Sequence, residues 1–165
     1  MSSRPPERQR LQPALLDRLT DNFPEETSEP LEARIINKQQ LRQSVLRDLA
    51  WLMNAVQPTK IDGTAYPYAA ASVINFGLAP MSGSQASNLH VGALEAQVRQ
   101  AIIAFEPRLL PDTLRVKTVE SESVLDTHNV IQIEIRGFLW SQPVPLEMLI
   151  RTQLDLETGQ VVFPD

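Results

Sequence analysis

Several residue types that build functional sites are missing or scarce in this chain of 165 residues. The chain has no cysteine, which excludes disulfides, thiolate metal ligands and cysteine nucleophiles and permits a reducing compartment. Its two histidines, His90 and His128, lie in no HxxxH or carboxylate arrangement, so surface or capping positions are favoured and no metal is assigned. Aromatic residues make up 5%, and we expect core packing for most of a set comprising Trp51, Phe76, Phe105, Phe138 and Trp140.

The chain also lacks an excess of positive charge and any long apolar run. A net charge of -5 and a pI near 5.1 argue against a nucleic-acid partner, which selects for clustered Lys and Arg. No stretch approaches the roughly eighteen consecutive apolar residues of a membrane span, and residues 1–12 are polar and arginine-rich, unlike a secretory signal. We therefore expect a cytoplasmic protein without direct membrane insertion.

The motifs of common enzymes are absent as well. No GxxxxGK[ST], GxSxG or GxGxxG occurs, and residues 82–84 are too short for a phosphate cradle, so no cofactor is predicted. A glycosidase needs two carboxylates across a sugar, and the chain has candidates in Glu95, Glu106, Asp112, Glu120 and Glu122. Because such pairs can be drawn in almost any chain, their presence is no evidence for a glycosidase.

The beginning of the chain predicts little regular structure. Residues 1–12 have no apolar periodicity and predict a mobile arm ahead of one domain over residues 13–165. Pro13 and the leucines that follow predict a two-turn helix ending near Asp21. Residues 22–32 are acidic and marked by proline, which is typical of a connector.

The clearest helical pattern follows this connector. Asn37 can cap a helix with Gln40 three residues later, and apolar residues then recur at helical spacing until Pro58. Residues 69–76 predict a short helix or turn closed by Gly77. A further helix, capped by Ser87 or Asn88, has an apolar face formed by Leu94, Val98, Ala101, Ile102 and Phe105.

After residue 107 the apolar period changes from helical to alternating. Strands are predicted at residues 114–117, 131–135 and 146–154, with a turn at Thr158-Gly159 before a short strand at residues 161–163. The sequence therefore predicts an α+β fold, with N-terminal helices packed on a C-terminal antiparallel β meander of unassigned strand order.

The junction between the helical and strand regions carries two opposite charges around a proline. Pro107 pushes Glu106 out of the helical region, and Arg108 follows directly. With Phe105 and Leu109 as apolar anchors, we expect the charged heads to point outward at the rim of the core and to contact a partner. The alternative is an exposed ion pair without a function, worth about 0 to 1 kcal/mol, and in either case alanine should leave folding nearly intact.

Six segments in order, spanning about residues 15 to 160, resemble the baseplate subunit TssE of type VI secretion systems. That family is similar to the small wedge protein of contractile phage tails, once labelled a tail lysozyme. The Glu-Pro-Arg corner is the most specific segment, and the family often has Tyr at Phe76 and varies over residues 59–64. The segments are Leu15–Leu19 and residues 44–54, 75–78, 105–109, 137–140 and 155–159.

The resemblance implies a non-enzymatic baseplate component at the inner face of the cell envelope. Glu106, Pro107 and Arg108 would contact the helical core bundle of neighbouring wedge subunits, and the strand region resembles the interlocking domain of the sheath protein. A short last strand leaves a sheet edge, so Val161, Val162 and Phe163 are a candidate docking edge for the sheath. The alternatives are a lysozyme-like peptidoglycan hydrolase and a regulatory adaptor.

Overall fold

A computed structural model describes residues 13–20, 24–25, 36–57, 61, 63–80, 91–119, 130–141 and 143–163. The helices are α1 (Leu15–Leu19), α2 (Lys38–Asn54), α3 (Pro67–Ala70) and α4 (Val91–Phe105), with short 3-10 turns at Val73–Asn75 and Pro111–Thr113. The strands are β1 (Arg115–Val119), β2 (Val130–Leu139), β3 (Leu146–Asp155) and β4 (Val161–Val162). The helices precede the strands, as the change of period predicted.

The capping prediction for α2 is confirmed. The Asn37 side chain accepts the backbone N–H of Gln40, and the Gln40 side chain accepts that of Asn37, so two helix-terminal donors are satisfied. The helix ends at Asn54, before Pro58, because the chain turns into an extended bridge in which Val56 pairs with Leu78.

The four strands form one antiparallel sheet in the order β1-β2-β3-β4. Each strand therefore neighbours the next one in sequence, and the predicted α+β meander is confirmed. The hairpin between β3 and β4 turns at Gly159, which has a φ of +72° that favours glycine. The carboxylate of Asp155 accepts the backbone N–H groups of Glu157 and Thr158 in this turn.

One hydrophobic core lies between the helices and one face of the sheet. The alternating side chains of β2 and β3 meet the apolar stripes of α2 and α4, including Leu49, Ile102, Ile135 and Ile150. Gly77 closes the segment before α4, where its φ is +115° and an added Cβ would lie 2.3 Å from the Ala55 carbonyl oxygen. No larger residue fits there without moving the backbone.

The expectation that most of the aromatic set packs in the core is wrong. Trp51, Phe138 and Trp140 are exposed: Trp51 and Phe138 lie on the outward sides of α2 and β2, and Trp140 follows the end of β2. Only Phe76 and Phe105 of the predicted aromatic set pack against the core, and their rings meet edge to face at 5.2 Å.

Several predictions fall outside the described residues. They concern the arm, most of the connector, the two histidines, the serine-glycine stretch, the cap of α4 and two of the carboxylates. The positions are residues 1–12, 21–23, 26–35 and 82–84, and His90, His128, Ser87, Asn88, Glu120 and Glu122.

Candidate protein-binding surfaces

The Glu-Pro-Arg corner turns Glu106 into the protein, contrary to the outward orientation predicted from the sequence. Glu106 follows the last residue of α4, and its side chain is 3% exposed. Its carboxylate accepts the backbone N–H of Arg108 at 3.1 Å and the Arg108 Nε–H at 2.6 Å. The expectation of an exposed, weakly stabilising pair is therefore wrong, because the carboxylate is buried and bonded by the residue across the proline.

Arg108 also joins the corner to α2. Its guanidinium donates to Asp48 Oδ2 at 2.5 Å and to the Ser44 hydroxyl at 3.2 Å. Burial disfavours the charged guanidinium, but the hydrogen bonds and charges of Glu106 and Asp48 outweigh this effect and raise the pKa of Arg108. The ion pair thus fixes the end of α4 against the middle of α2.

An open groove of about 450 Å³ lies beside this ion pair, and we name it the corner groove. Aromatic and aliphatic side chains form most of its lining, which includes Trp51, Phe105, Pro107 and Leu16. The Trp51 ring is 53% exposed, and the Arg47 guanidinium stacks 5.1 Å from its centre. The groove therefore presents apolar area next to guanidinium groups that are paired with carboxylates.

Helix α1 borders the corner groove without joining the core. None of its residues is buried, and Leu15 and Leu19 are largely exposed. Asp17 forms an ion pair with Arg47. Leu16, which is partly exposed, belongs to the lining of the groove.

A side chain of α4 covers the outer edge of β1. The backbone N–H and the hydroxyl of Thr118 both donate to Glu95 Oε1, at 2.7 and 2.9 Å. These bonds, the backbone N–H first, lower the pKa of Glu95. The carboxylate thus occupies a backbone position that a further strand would use.

A side chain of α2 covers β4 in the same way. Asn54 accepts the Val161 N–H and donates to the Val161 carbonyl, both at 2.9 Å, so its amide imitates one residue of a neighbouring strand. Val161 is buried, and Val162 and Phe163 follow it at the end of the described chain. The predicted docking edge is therefore partly occupied at Val161, while its contact with a sheath stays a prediction.

Strand β3 keeps an uncovered edge where β4 stops. The Asp155 N–H donates to the Gln160 carbonyl on the β4 side, and β4 pairs only with Gln153 and Leu154. Backbone groups alternate sides along a strand, and the β2–β3 register is continuous. Glu147, Leu149 and Arg151 therefore direct their N–H and C=O groups to the β4 side, as Asp155 does. Among the described residues, no strand pairs with this stretch, which we name the open edge.

The open edge faces a groove toward α2. This groove measures about 570 Å³, and its walls include Arg42 and Leu46 of α2, Leu149 and Arg151 of β3, and Phe163. The contact recorded from Arg42 to the edge is long, with its guanidinium 3.5 Å from the Leu149 carbonyl oxygen. An incoming strand therefore has both backbone partners and space.

The described part of the chain also bears on metal binding and on membrane insertion. No group of three or more metal-binding side chains occurs there, and none of its helices combines the length and apolar character needed to cross a membrane. Two apolar grooves and an open sheet edge are surfaces typical of proteins that assemble with other proteins.

Comparison with protein families also indicates a protein that assembles with other proteins. Residues 39–144, well over half of the chain, match the family model described as "Baseplate wedge protein gp25", and the chain belongs to this family of structural baseplate components. The matched range contains α4, the Glu-Pro-Arg corner and all but the first residue of α2. Searches of curated proteins and of solved structures found no match.

The prediction of a baseplate wedge protein is thus confirmed at the level of the family. Glu95 and Asn54 were not identified from the sequence as edge-covering residues. Each is a single polar side chain on a helix, and only the sheet register shows which backbone groups it meets. The open edge depends on how far β4 extends along β3, which the apolar pattern does not specify.

Proposed function

We propose that this wedge-family protein is the TssE-type subunit of a type VI secretion baseplate, where it binds neighbouring wedge subunits and initiates sheath assembly. Membership of the wedge family supports the baseplate role. The assignment to type VI secretion rests on the six ordered segments, two of which, Leu15–Leu19 and residues 155–159, lie outside the matched range. This role places the protein in the cytoplasm, at the inner face of the envelope.

The corner groove is the observation that supports wedge binding most directly. Its lining combines an exposed tryptophan, a proline and the accessible rim of Arg108, which suits the apolar face of a partner helix. We propose that the helical bundle of neighbouring wedge subunits packs here. In this proposal Glu106 acts indirectly, by holding Arg108 and Pro107 in position.

The test of this contact must separate binding from folding. Glu106→Ala leaves a partly buried guanidinium with one carboxylate, Asp48, and should destabilise the protein by about 1 to 3 kcal/mol, so it is a poor probe of binding. Trp51→Ala removes exposed area from the groove and should lower affinity for the wedge complex about 10-fold or more while the protein stays folded.

Tyr68→Ala is the matched control, because Tyr68 is also an exposed aromatic residue but lies outside the groove. The measurement is co-purification of the wedge complex from cells that carry each variant, with circular dichroism of the purified protein. Equal capture by Trp51→Ala and Tyr68→Ala would show that the corner groove is not the wedge contact.

The sheath proposal concerns the open edge. An added strand would bond to the backbone of Glu147, Leu149 and Arg151 and lie beside β4 and Phe163. The sequence predicted that the sheath docks on Val161, Val162 and Phe163. In this proposal the sheath strand lies next to these residues, but its hydrogen bonds are made with β3. Sheath counts in cells that carry a proline variant of the open edge test this proposal.

A peptidoglycan hydrolase remains the competing function because of the carboxylates. Glu106 bonds to Arg108, and Glu95 bonds to Thr118, so each carboxylate already has a structural partner. The purified protein should give no zymogram clearing between about pH 4 and 8, the range in which a carboxylic acid catalyst works. Zymogram clearing by the wild type that is lost in Glu106→Gln would support the peptidoglycan hydrolase. Purification of the protein without a wedge complex would support the regulatory adaptor.

A further inference from the structure

Two neighbouring rows of residues across the outer face of the sheet carry an excess of positive charge. These residues alternate with buried ones along β1, β2 and β3, so they lie on the side of the sheet that is turned away from the helices. In a chain of net charge -5, the two rows hold four cations and one carboxylate, and we name them the basic face. The first row is Lys117, Glu134 and Arg151, and the second is Arg115, Arg136 and Leu149.

The one carboxylate of the basic face is shared by two arginines. Glu134 accepts the Arg136 Nε–H at 2.7 Å and the Arg151 Nε–H at 3.2 Å. These bonds, that of Arg136 first, lower the pKa of Glu134. The two arginine side chains are 58% and 71% exposed, so their other N–H groups are accessible to a partner.

The other two cations of the basic face form no ion pair in the described part of the chain. Arg115 donates to the backbone carbonyls of Asp112 and Leu114, at 3.4 and 3.2 Å, and these acceptors carry no net charge. The charge of Lys117 contributes to the lowered pKa of Glu95 without an ion pair between them. Two exposed positive charges are therefore not neutralised by a direct contact.

Arg115 also lies directly opposite Arg136 in the register of β1 and β2. Like charges at opposed positions destabilise a sheet. A local arrangement that opposes folding is typical of a functional surface, where a partner supplies the missing opposite charge. Apolar side chains border this pair, since Leu149 is 37% exposed and Phe138, two residues after Arg136 on β2, is 39% exposed. Aromatic side chains and arginines are enriched in protein interfaces.

We propose that the basic face binds an acidic surface segment of a partner protein, whose carboxylates pair with its four cations. Neighbouring rows on one face of a sheet are about 7 Å apart along the strands, so the segment needs carboxylates at that spacing, as at positions i and i+2 of a strand. An apolar side chain beside them would meet Leu149 or Phe138. The proposal concerns side chains of the outer face and depends on neither the corner groove nor the open edge.

The carboxylates of the outer face favour a protein over a nucleic acid. Glu134 lies among the cations, and Glu147 is exposed opposite Phe138 in the next row. A protein segment can place a neutral residue against each of them. A nucleic acid carries phosphate charge along its whole length and would be repelled there, as by the net negative charge of the chain.

The probe is N-acetyl-hexaglutamate amide, titrated at low salt into ¹⁵N-labelled full-length protein. Backbone amide signals of β1 and β2 should shift saturably, and added salt should weaken the binding because it screens exposed charges. Lys117→Gln should weaken binding about threefold or more, which is within the range of an exposed ion pair. Lys38→Gln is the matched control, because Lys38 is also exposed but begins α2, and this variant should bind as the wild type does.

Stability separates a binding role of Arg115 from a structural one. Arg115→Gln removes the repulsion with Arg136, so its midpoint of thermal unfolding should equal or exceed that of the wild type, although it binds hexaglutamate about threefold or more weakly. The proposal is overturned if no saturable shift occurs, if Lys38→Gln weakens binding as much as Lys117→Gln does, or if a short DNA duplex binds more tightly than hexaglutamate. A self-associated form that Arg115→Gln dissociates would also overturn it, by assigning the face to a second copy of the chain.

Discussion

The covered and uncovered edges of the sheet differ in what satisfies their backbone groups. At β1 and β4, a helix side chain takes the place of a strand, with Glu95 bonded to Thr118 and Asn54 bonded to Val161. Along β3, the backbone groups of Glu147, Leu149 and Arg151 that face away from β2 have, within the described part of the chain, only the long contact from Arg42 to Leu149. Helices α4 and α2 thus cover one position each of β1 and β4, but neither covers the middle of β3.

This difference bears on how the protein pairs with strands of other chains. Exposed edges promote aggregation, and proteins commonly cover them or charge them. Glu95 and Asn54 cover one position each of β1 and β4, so the proposed strand addition is favoured at the open edge, which lies beside a groove. The following predictions test whether the two kinds of edge behave differently.

The largest effect is expected from proline at neighbouring positions of β3. Ile150 is buried and directs its N–H to β2, so Ile150→Pro removes a bond inside the sheet and should cost about 3 kcal/mol or more. Leu149 directs its N–H to the open edge, so Leu149→Pro should cost roughly 1 kcal/mol and leave the protein folded. Urea denaturation measures both.

The same pair tests sheath initiation. Cells with Leu149→Pro as the only copy should assemble baseplates but few fluorescent sheaths, because proline blocks a backbone bond to the added strand. Normal sheath counts with folded Leu149→Pro would assign sheath contact to another surface.

The next effect concerns the cover of β4. Asn54→Ala leaves the N–H and carbonyl of Val161 unpaired and should lower the free energy of unfolding by about 1 to 3 kcal/mol. Asn54→Asp keeps an acceptor for the N–H but sets a carboxylate oxygen against the Val161 and Ala50 carbonyl oxygens, so it should not restore the stability. If Asn54→Ala unfolds at the same urea concentration as the wild type, the amide does not replace a strand.

A smaller effect, dependent on pH, is expected at β1. The pKa of Glu95 is lower in the folded protein than in the unfolded chain, so its stabilisation is complete above its ordinary pKa and is lost as the pH falls through the folded value. Glu95→Gln should cost about 0.5 to 1.5 kcal/mol at pH 7 and flatten this acidic part of the stability curve. A curve that the substitution leaves unchanged would argue against the Thr118 bonds.

Hydrogen exchange tests the comparison with no substitution. The amides of Thr118 and Val161 should exchange slowly, because Glu95 and Asn54 accept their protons. The amides of Leu149 and Arg151 should exchange faster than that of Ile150 between them, since they face the open edge. Equal protection of Leu149 and Ile150 would mean that something covers the edge in solution.

The order of elements and the fold class followed from the sequence, because capping and apolar period are local properties. The Asn37 cap and the alternation of β2 and β3 are examples. The proline corner was also placed correctly, but the direction of Glu106 was not. That direction depends on Asp48 and Ser44, which lie some sixty residues away in sequence and hold Arg108 inward.

The segment from Asn75 to Gly77 separates two grooves beside α4. Phe76 lines the corner groove, Asn75 and Gly77 line a groove of about 530 Å³ on the other side, and Phe105 borders both. The edge-to-face contact between Phe76 and Phe105 is therefore a wall that the two grooves share. A substitution of either ring would change the shape of both grooves at once.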